Sequence, residues 1–353
     1  LLNINGIKVK EKNIAIVIYD AYGYAGTENV ANFMSECFST KHKVTVFSLE
    51  GSGKTFYPFH NVINIISLSG FRFKMFRLMS LMKKEKYDAV FVISMGKLSV
   101  LYSLYSFLTG LTSRSIACEH IALSSFPKPI KFLKFIFLRR FERVVVLTKT
   151  DEIKYINHKI RAVHIPNPLN YNHFMRNSRS NIYLAVGRLE QQKGFDRLLK
   201  IWCTFYKNNE SAKLFIAGEG SQKDKLHCLC KELQISQSVI FLGKVDNIDR
   251  YYKKADVLLM TSYYEGMPLV LLEAKSWSLP VIAYDCPTGP REIIANNIDG
   301  FLIPDNDHEL FISKMIELTS NDTLYYEFCK NTAITSRSFN ANAACQKWNN
   351  LIE

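Results

Sequence analysis

The sequence predicts an α/β protein made of two parallel β-sheets, each covered by helices, in two consecutive halves of the chain. Three observations lead there. Short apolar runs of strand length alternate with longer segments of helical period along both halves, the pattern of strands joined by crossover helices rather than hairpins. At 353 residues, 48% hydrophobic and 22% charged, the chain can bury two cores of ordinary domain size. Between the halves, Ile165-Pro166-Asn167-Pro168-Leu169-Asn170 carries two prolines that interrupt both periodicities and mark a joint.

Strands are expected near residues 13–19, 43–48, 62–66, 88–93, 114–118 and 142–147 in the first half. In the second half they fall near 181–187, 212–217, 238–242, 256–260, 280–284 and 300–303. The domains then run over 1–167 and 168–339, with 340–353 left as a terminal helix. The first strand, Asn13 to Tyr19, is followed by Gly23 and Gly26-Thr27-Glu28, then a helical pattern through Val30, Phe33 and Met34. Glycine after a first parallel strand lets the next helix start close to a ligand. A later strand, Ser115 to Cys118, ends in Glu119-His120. In the second half an apolar strand, Leu184-Ala185-Val186, ends in Gly187, and a cationic loop with Arg188 and Lys193 leads to a helix from Phe195.

The most informative stretch is Glu265-Gly266-Met267-Pro268-Leu269-Val270-Leu271-Leu272-Glu273. Proline is favoured at a first helical position, where its missing N–H would have no partner anyway, so the helix is placed from about Pro268. Glu265 then lies in the loop after the buried strand Asp256 to Met260, and strand, loop and helix present backbone N–H groups from Gly266 to Leu269 to an anion such as phosphate. Glu273 falls about one and a half turns into the helix among Leu271, Leu272 and Ala274. An ionised carboxylate is costly there unless something donates hydrogen bonds to it, and sugar hydroxyls are such donors.

These segments together resemble the family 4 glycosyltransferases, retaining enzymes of the GT-B fold that use nucleotide-sugar donors. Glu265 to Glu273 is similar to the family's E-x7-E motif, and Gly187 to Gly194 to its G-R-x-x-x-x-K-G segment. Gly26 to Glu28 resembles its G-G-x-E loop, although Ala25 stands where the first glycine would be. The Glu119-His120 strand end, and Gly289-Pro290-Arg291-Glu292-Ile293-Ile294 followed by Gly300-Phe301-Leu302, are similar to two further family segments. The resemblance implies two Rossmann-like domains facing each other across a cleft, the first on the acceptor and membrane side and the second holding the donor, with the last helix crossing back to the first domain on Trp348. It implies that Glu265 contacts the donor sugar, that Gly266, Met267, Pro268 and Leu269 contact the diphosphate, and that Glu273 binds the ribose. It gives Arg188 and Lys193 the diphosphate charge, His120 a sugar contact and Gly26 a place at the donor. The reaction so implied moves a hexose or N-acetylhexosamine from a UDP-sugar to a lipid-linked or growing glycan acceptor in surface polysaccharide synthesis, without a metal. The other reading is a nucleotide-sugar-binding or membrane scaffold subunit on the same frame.

Other classes fit less well. A nicotinamide dehydrogenase needs a G-x-G-x-x-G after the first strand, and Gly23 and Gly26 do not supply that spacing. Asp305-Asn306-Asp307 spells a D-x-D metal motif, but it lies where it would cap a helix from His308. Eight cysteines follow no framework spacing, and in His227-Cys228-Leu229-Cys230 the two thiols point to different helix faces. The net charge of +13 permits nucleic-acid binding, yet no motif for it is present. Residues 71–84 and 127–140 interleave bulky apolar groups with cations, which fits helices on an anionic membrane surface or amphipathic helices whose cations form the wet face. No long apolar run appears, and Leu1 to Gly6 lack the features of a secretory signal, so a cytoplasmic protein peripheral to the inner membrane face is expected.

Overall fold

The computed structural model describes residues 10–23, 26–111, 113–169 and 174–353. Leu1 to Gly6, Ala25 and Asn170 lie outside them. The chain divides into two compact units, Leu1–Asn167 with Asn342–Glu353, and Pro168–Ala341.

In the first unit the chain runs β1 (Asn13–Asp20), α1 (Gly26–Ser39), β2 (Lys43–Glu50), β3 (Asn64–Ser67), α2 (Lys74–Glu85), β4 (Ala89–Ser94) and α3 (Lys97–Thr109). It continues through β5 (Arg114–Glu119), α4 (Lys128–Leu138), β6 (Arg143–Val146), α5 (Lys149–Asn157) and β7 (Ala162–His164). All pairings are parallel, in the order β3-β2-β1-β4-β5-β6-β7. Such strands are buried on both faces, which is why β4, Ala-Val-Phe-Val-Ile-Ser, reads as one apolar run with all six residues buried. Alternate residues serve opposite faces. Ile14, Ile16 and Ile18 of β1 pack with α1 and the C-terminal helix Ala341–Asn350. Ala15 and Val17 pack on the side of α2, α3, α4 and α5. Trp348, 2% exposed, meets Phe91 edge-on at 6.0 Å.

The second unit runs β8 (Ile182–Val186), α6 (Phe195–Tyr206), β9 (Lys213–Ala217), α7 (Lys223–Glu232), β10 (Val239–Gly243), α8 (Asp249–Lys254) and β11 (Val257–Met260). Then follow α9 (Leu269–Ser276), β12 (Val281–Asp285), α10 (Pro290–Ile293), β13 (Gly300–Pro304), α11 (His308–Ser320) and α12 (Asp322–Thr335). Its sheet is also parallel, ordered β10-β9-β8-β11-β12-β13. Both sheets therefore reverse direction of strand addition once, beside β1 in the first and beside β8 in the second. In open α/β sheets ligands bind outside the carboxyl ends of the strands at that reversal.

The twelve strands expected from sequence all form, and β7 is an addition. Three residues, Ala162 to His164, are too short a run for periodicity to register. The helix expected from about Pro268 begins at Leu269. Pro268 stands at its N-cap with ψ of 110°, an extended rather than helical conformation. Cys228 is exposed and Cys230 buried on α7, so they do face apart.

Candidate active site

In the second unit the loops after β8 and β11 meet at the carboxyl ends of the two strands flanking the reversal. They are stitched together by backbone and side-chain bonds. The Tyr263 N–H donates to the Gln192 carbonyl at 2.8 Å, Gln192 Nε2 to the Tyr264 carbonyl at 2.9 Å, and Thr261 Oγ1 to the Gly194 carbonyl at 2.9 Å. Gly194 is required there: its φ is +63°, and a Cβ would stand 2.1 Å from the Thr261 carbonyl oxygen. Arg197, 3% exposed on α6, donates to the carbonyls of Thr261 at 2.6 Å and Ser262 at 2.7 Å and to Asp305 Oδ1 at 2.8 Å.

That frame brings Lys193 and Glu265 together, Nζ to Oε1 at 2.7 Å, from positions 72 residues apart. Their side chains are only 16% and 7% exposed. Water screens such a pair poorly, and charge-assisted bonds of this kind are about twice as strong as neutral ones. The Glu265 carbonyl accepts from Thr288 Oγ1 at 2.6 Å, which ties the loop to the turn before α10. Gly289 closes that turn with φ of +97°, and a Cβ would lie 2.5 Å from the Gly266 carbonyl oxygen. Gly266, Met267, Pro268 and Leu269 thus enter α9 on a braced backbone, and the first N–H groups of a helix have no intrahelical partner.

Glu273 is partly covered, and Tyr252 donates its hydroxyl to Oε2 at 2.7 Å. Burial raises its carboxyl above the ordinary value, an effect the Tyr252 hydrogen bond opposes. Arg188 is exposed; its carbonyl accepts from the Glu190 N–H at 2.7 Å, and its guanidinium makes no hydrogen bond or ion pair with another described residue. Asp305 serves Arg197, and Asp307 caps α11 by accepting from the Leu310 N–H at 3.0 Å, so the D-x-D has structural duties.

His120 and Gly26 belong to the first unit. His120 follows β5 and its N–H donates to the Ser94 carbonyl at 3.0 Å. It is 9% exposed, and burial pulls its imidazole down to about 4, so at neutral pH it is an uncharged ring. Beneath it, Glu119 accepts from Ser99 Oγ and from Lys134 Nζ, both at 2.6 Å. Lys134 is fully buried over the Phe126 ring and also donates to the Gly96 carbonyl at 2.9 Å. Gly26 opens α1, with Thr27 Oγ1 donating to Glu28 at 2.8 Å.

Sequence reasoning did not single out Arg197, Tyr252, Lys134 or Lys275. Lys275 of α9 is 1% exposed and bonds Asp299 at 2.5 Å and Thr335 Oγ1 at 2.7 Å. Arg197, Lys134 and Lys275 are helical cations that each stand four residues from a buried apolar residue, Ile201, Leu138 and Leu271, whereas Tyr252 lies in the short polar helix α8.

Two parallel sheets with single reversals, and braced loops at the reversal of the second, define a glycosyltransferase of GT-B architecture once comparisons with known proteins are added. The model of the family "Glycosyl transferases group 1" matches residues 172–335. The amylovoran biosynthesis glycosyltransferase AmsD of Erwinia amylovora is 35% identical over 352 residues, covering 96% of this chain and 99% of that one. An alpha-1,4-N-acetyl-D-galactosaminyltransferase of Campylobacter jejuni acting on an undecaprenol-linked glycan is 28% identical over 93% of this chain and 94% of its own. Among solved structures, Anabaena HepE in complex with UDP and glucose superimposes with a TM-score of 0.82 at 15% identity, covering 97% of this chain and 99% of HepE. The lipopolysaccharide outer core galactosyltransferase WaaB does so at 0.76 and 22% over 96% and 99%. The chain belongs to the glycosyl transferases group 1 family and is a transferase.

Proposed function

We propose that the chain transfers a hexose or N-acetylhexosamine from a UDP-sugar, with retention of configuration, to a lipid-linked or growing glycan in surface polysaccharide synthesis. The observation that carries this reading is the Lys193–Glu265 pair at the sheet reversal beside the start of α9. Negative charge builds on the leaving phosphate oxygen as the bond from it to the sugar C1 breaks. Lys193, the exposed guanidinium of Arg188 and the backbone from Gly266 to Leu269 are suited to hold that charge, and fixed charge of this kind lowers the barrier. Glu265 would orient the sugar, Glu273 would accept from the ribose hydroxyls, and neutral His120 would hydrogen-bond the sugar. The acceptor oxygen forms its bond to C1 on the face the phosphate leaves, and its proton passes to the departing phosphate oxygen, so no separate base is needed.

The relatives and neighbours named above support UDP as the nucleotide and a lipid-linked or polysaccharide acceptor. Metal independence is supported by the structural engagement of Asp305 and Asp307. A peripheral place on the inner membrane face is supported by α2, α3 and α4. They leave Phe73, Phe76, Phe107, Leu108, Phe132 and Ile136 between 45% and 66% exposed beside exposed lysines and arginines. Among the described residues no helix is long and apolar enough to cross a membrane. The wet-face alternative does not describe α4, where Lys134 is buried and Phe132 is 66% exposed.

The test is a product assay with UDP-sugars and lipid-linked glycan acceptors, the new anomeric linkage read by NMR. An α-linked product from an α-configured donor, formed equally with chelator present, is expected. An inverted linkage would overturn retention, and loss of transfer in chelator restored by a divalent ion would overturn metal independence.

A further inference from the structure

A cavity of the first unit lies at the end of β5 opposite His120. It encloses about 600 Å3 and is lined by the first residues of β5, the residues before β6 and the C-terminal end of α3. Its charges are unequal. Arg114 and Glu142 neutralise one another in a bidentate pair, both contacts at 2.7 Å. Arg140 lies over the Phe107 ring at 4.0 Å, and Arg161, which shares the field of Glu142 with Arg114, makes no ion pair and one long bond, 3.4 Å, to the Phe141 carbonyl. Three guanidinium groups and one carboxylate leave the lining positive. The hydroxyls of Ser106 and Ser113, also in its wall, make no hydrogen bond to another described residue. Two guanidinium forks and two free hydroxyls match the oxygens of a phosphate ester. At the rim stand Phe107 and Leu108, 60% and 63% exposed, which continue the apolar surface of α2, α3 and α4.

We propose that this cavity is a binding site for the phosphodiester headgroup of an acidic phospholipid, seated by Arg140 and Arg161 with Phe107 and Leu108 in the acyl boundary. The proposal rests on the membrane contact inferred above and assigns it a specific lipid site. The headgroup region is where guanidinium groups and aromatic rings partition together, and a cavity of this size admits a glycerophosphate.

Flotation of the full chain on vesicles of equimolar phosphatidylcholine and phosphatidylglycerol, against phosphatidylcholine alone, tests it. The acidic vesicles are expected to bind the wild type. Arg140→Gln/Arg161→Gln should lose affinity at least about tenfold beyond the loss in Lys83→Gln/Lys84→Gln, which removes two exposed cations of α2 from the same surface. Arg140→Lys/Arg161→Lys keeps the charge and loses the forks, so it should bind more weakly than wild type, and it serves if the glutamine variant does not fold. Equal losses in the arginine and lysine pairs, with the Lys-for-Arg variant like wild type, would show diffuse attraction and overturn the site while leaving membrane contact standing. Binding to neither vesicle overturns both readings. Arginine-dependent binding of glycerol 3-phosphate in solution as tight as that of the vesicles would identify a free phosphate ester and overturn the lipid assignment.

Discussion

Replacing Lys193 by methionine keeps most of the side chain's volume and removes the cation that faces Glu265. Glu265 is then a carboxylate whose side chain is 7% exposed and whose 2.7 Å partner is gone. Removing one member of a fully buried pair costs about 3–5 kcal/mol, and the 16% exposure of the Lys193 side chain lets water reach part of the gap, so about 2–3 kcal/mol is expected here. Donor binding should suffer separately. A charged hydrogen bond to the diphosphate is worth about 1.5–3 kcal/mol, which weakens UDP binding by about 10- to 150-fold. Urea unfolding and UDP titration calorimetry measure the two losses, and the double variant Lys193→Met/Glu265→Gln separates them. With no buried charge left unpaired it should regain most of the stability, while UDP binding stays weak because the cation is still missing. A single variant as stable as wild type would refute the burial argument. A double variant that recovered UDP affinity would show that Lys193 only holds the loop.

Glu273→Gln should weaken UDP by about 10- to 150-fold through loss of a charged acceptor for the ribose hydroxyls, read by the same calorimetry. Its effect on stability has the opposite sign. Burial raises the Glu273 carboxyl in the folded state, so the wild type loses stability as pH rises through that raised value, and the loss is absent below the ordinary 4.5. Thermal melts should therefore show the variant more stable at neutral pH and equal to wild type in acid. A variant less stable at pH 7 would contradict that sign. Lys275→Met strands Asp299, 1% exposed, and should cost about 3–5 kcal/mol in urea unfolding, partly restored by adding Asp299→Asn. An unchanged midpoint would mean that the pair contributes nothing.

Much of this protein was written in short-range pattern. The strands were legible because a parallel strand buried on both faces must be apolar throughout, as β4 and β11 are, and because prolines and glycines break such runs. The segments around Gly187 to Gly194 and Glu265 to Glu273 were also legible, since each is a contiguous string whose spacing the chain itself sets. The start of α9 is expected near Pro268 and falls at Leu269, and which of the two opens the helix turns on ψ of Pro268, which the sequence does not contain.

Tertiary structure decided what faces what. That Lys193 bonds Glu265 depends on β8 and β11 being neighbours, with Tyr183 opposite Val257 and Leu184 opposite Leu258, and no local pattern encodes it. Arg197 and Lys134 look like members of a wet helical face, and they are buried because carbonyls and a carboxylate from other elements surround them. A charge can enter a core only where partners converge on it, and convergence is a property of the folded chain. The same holds for the exposed aromatics of α4: composition shows that they are apolar, whereas only packing shows which of them the sheet leaves uncovered.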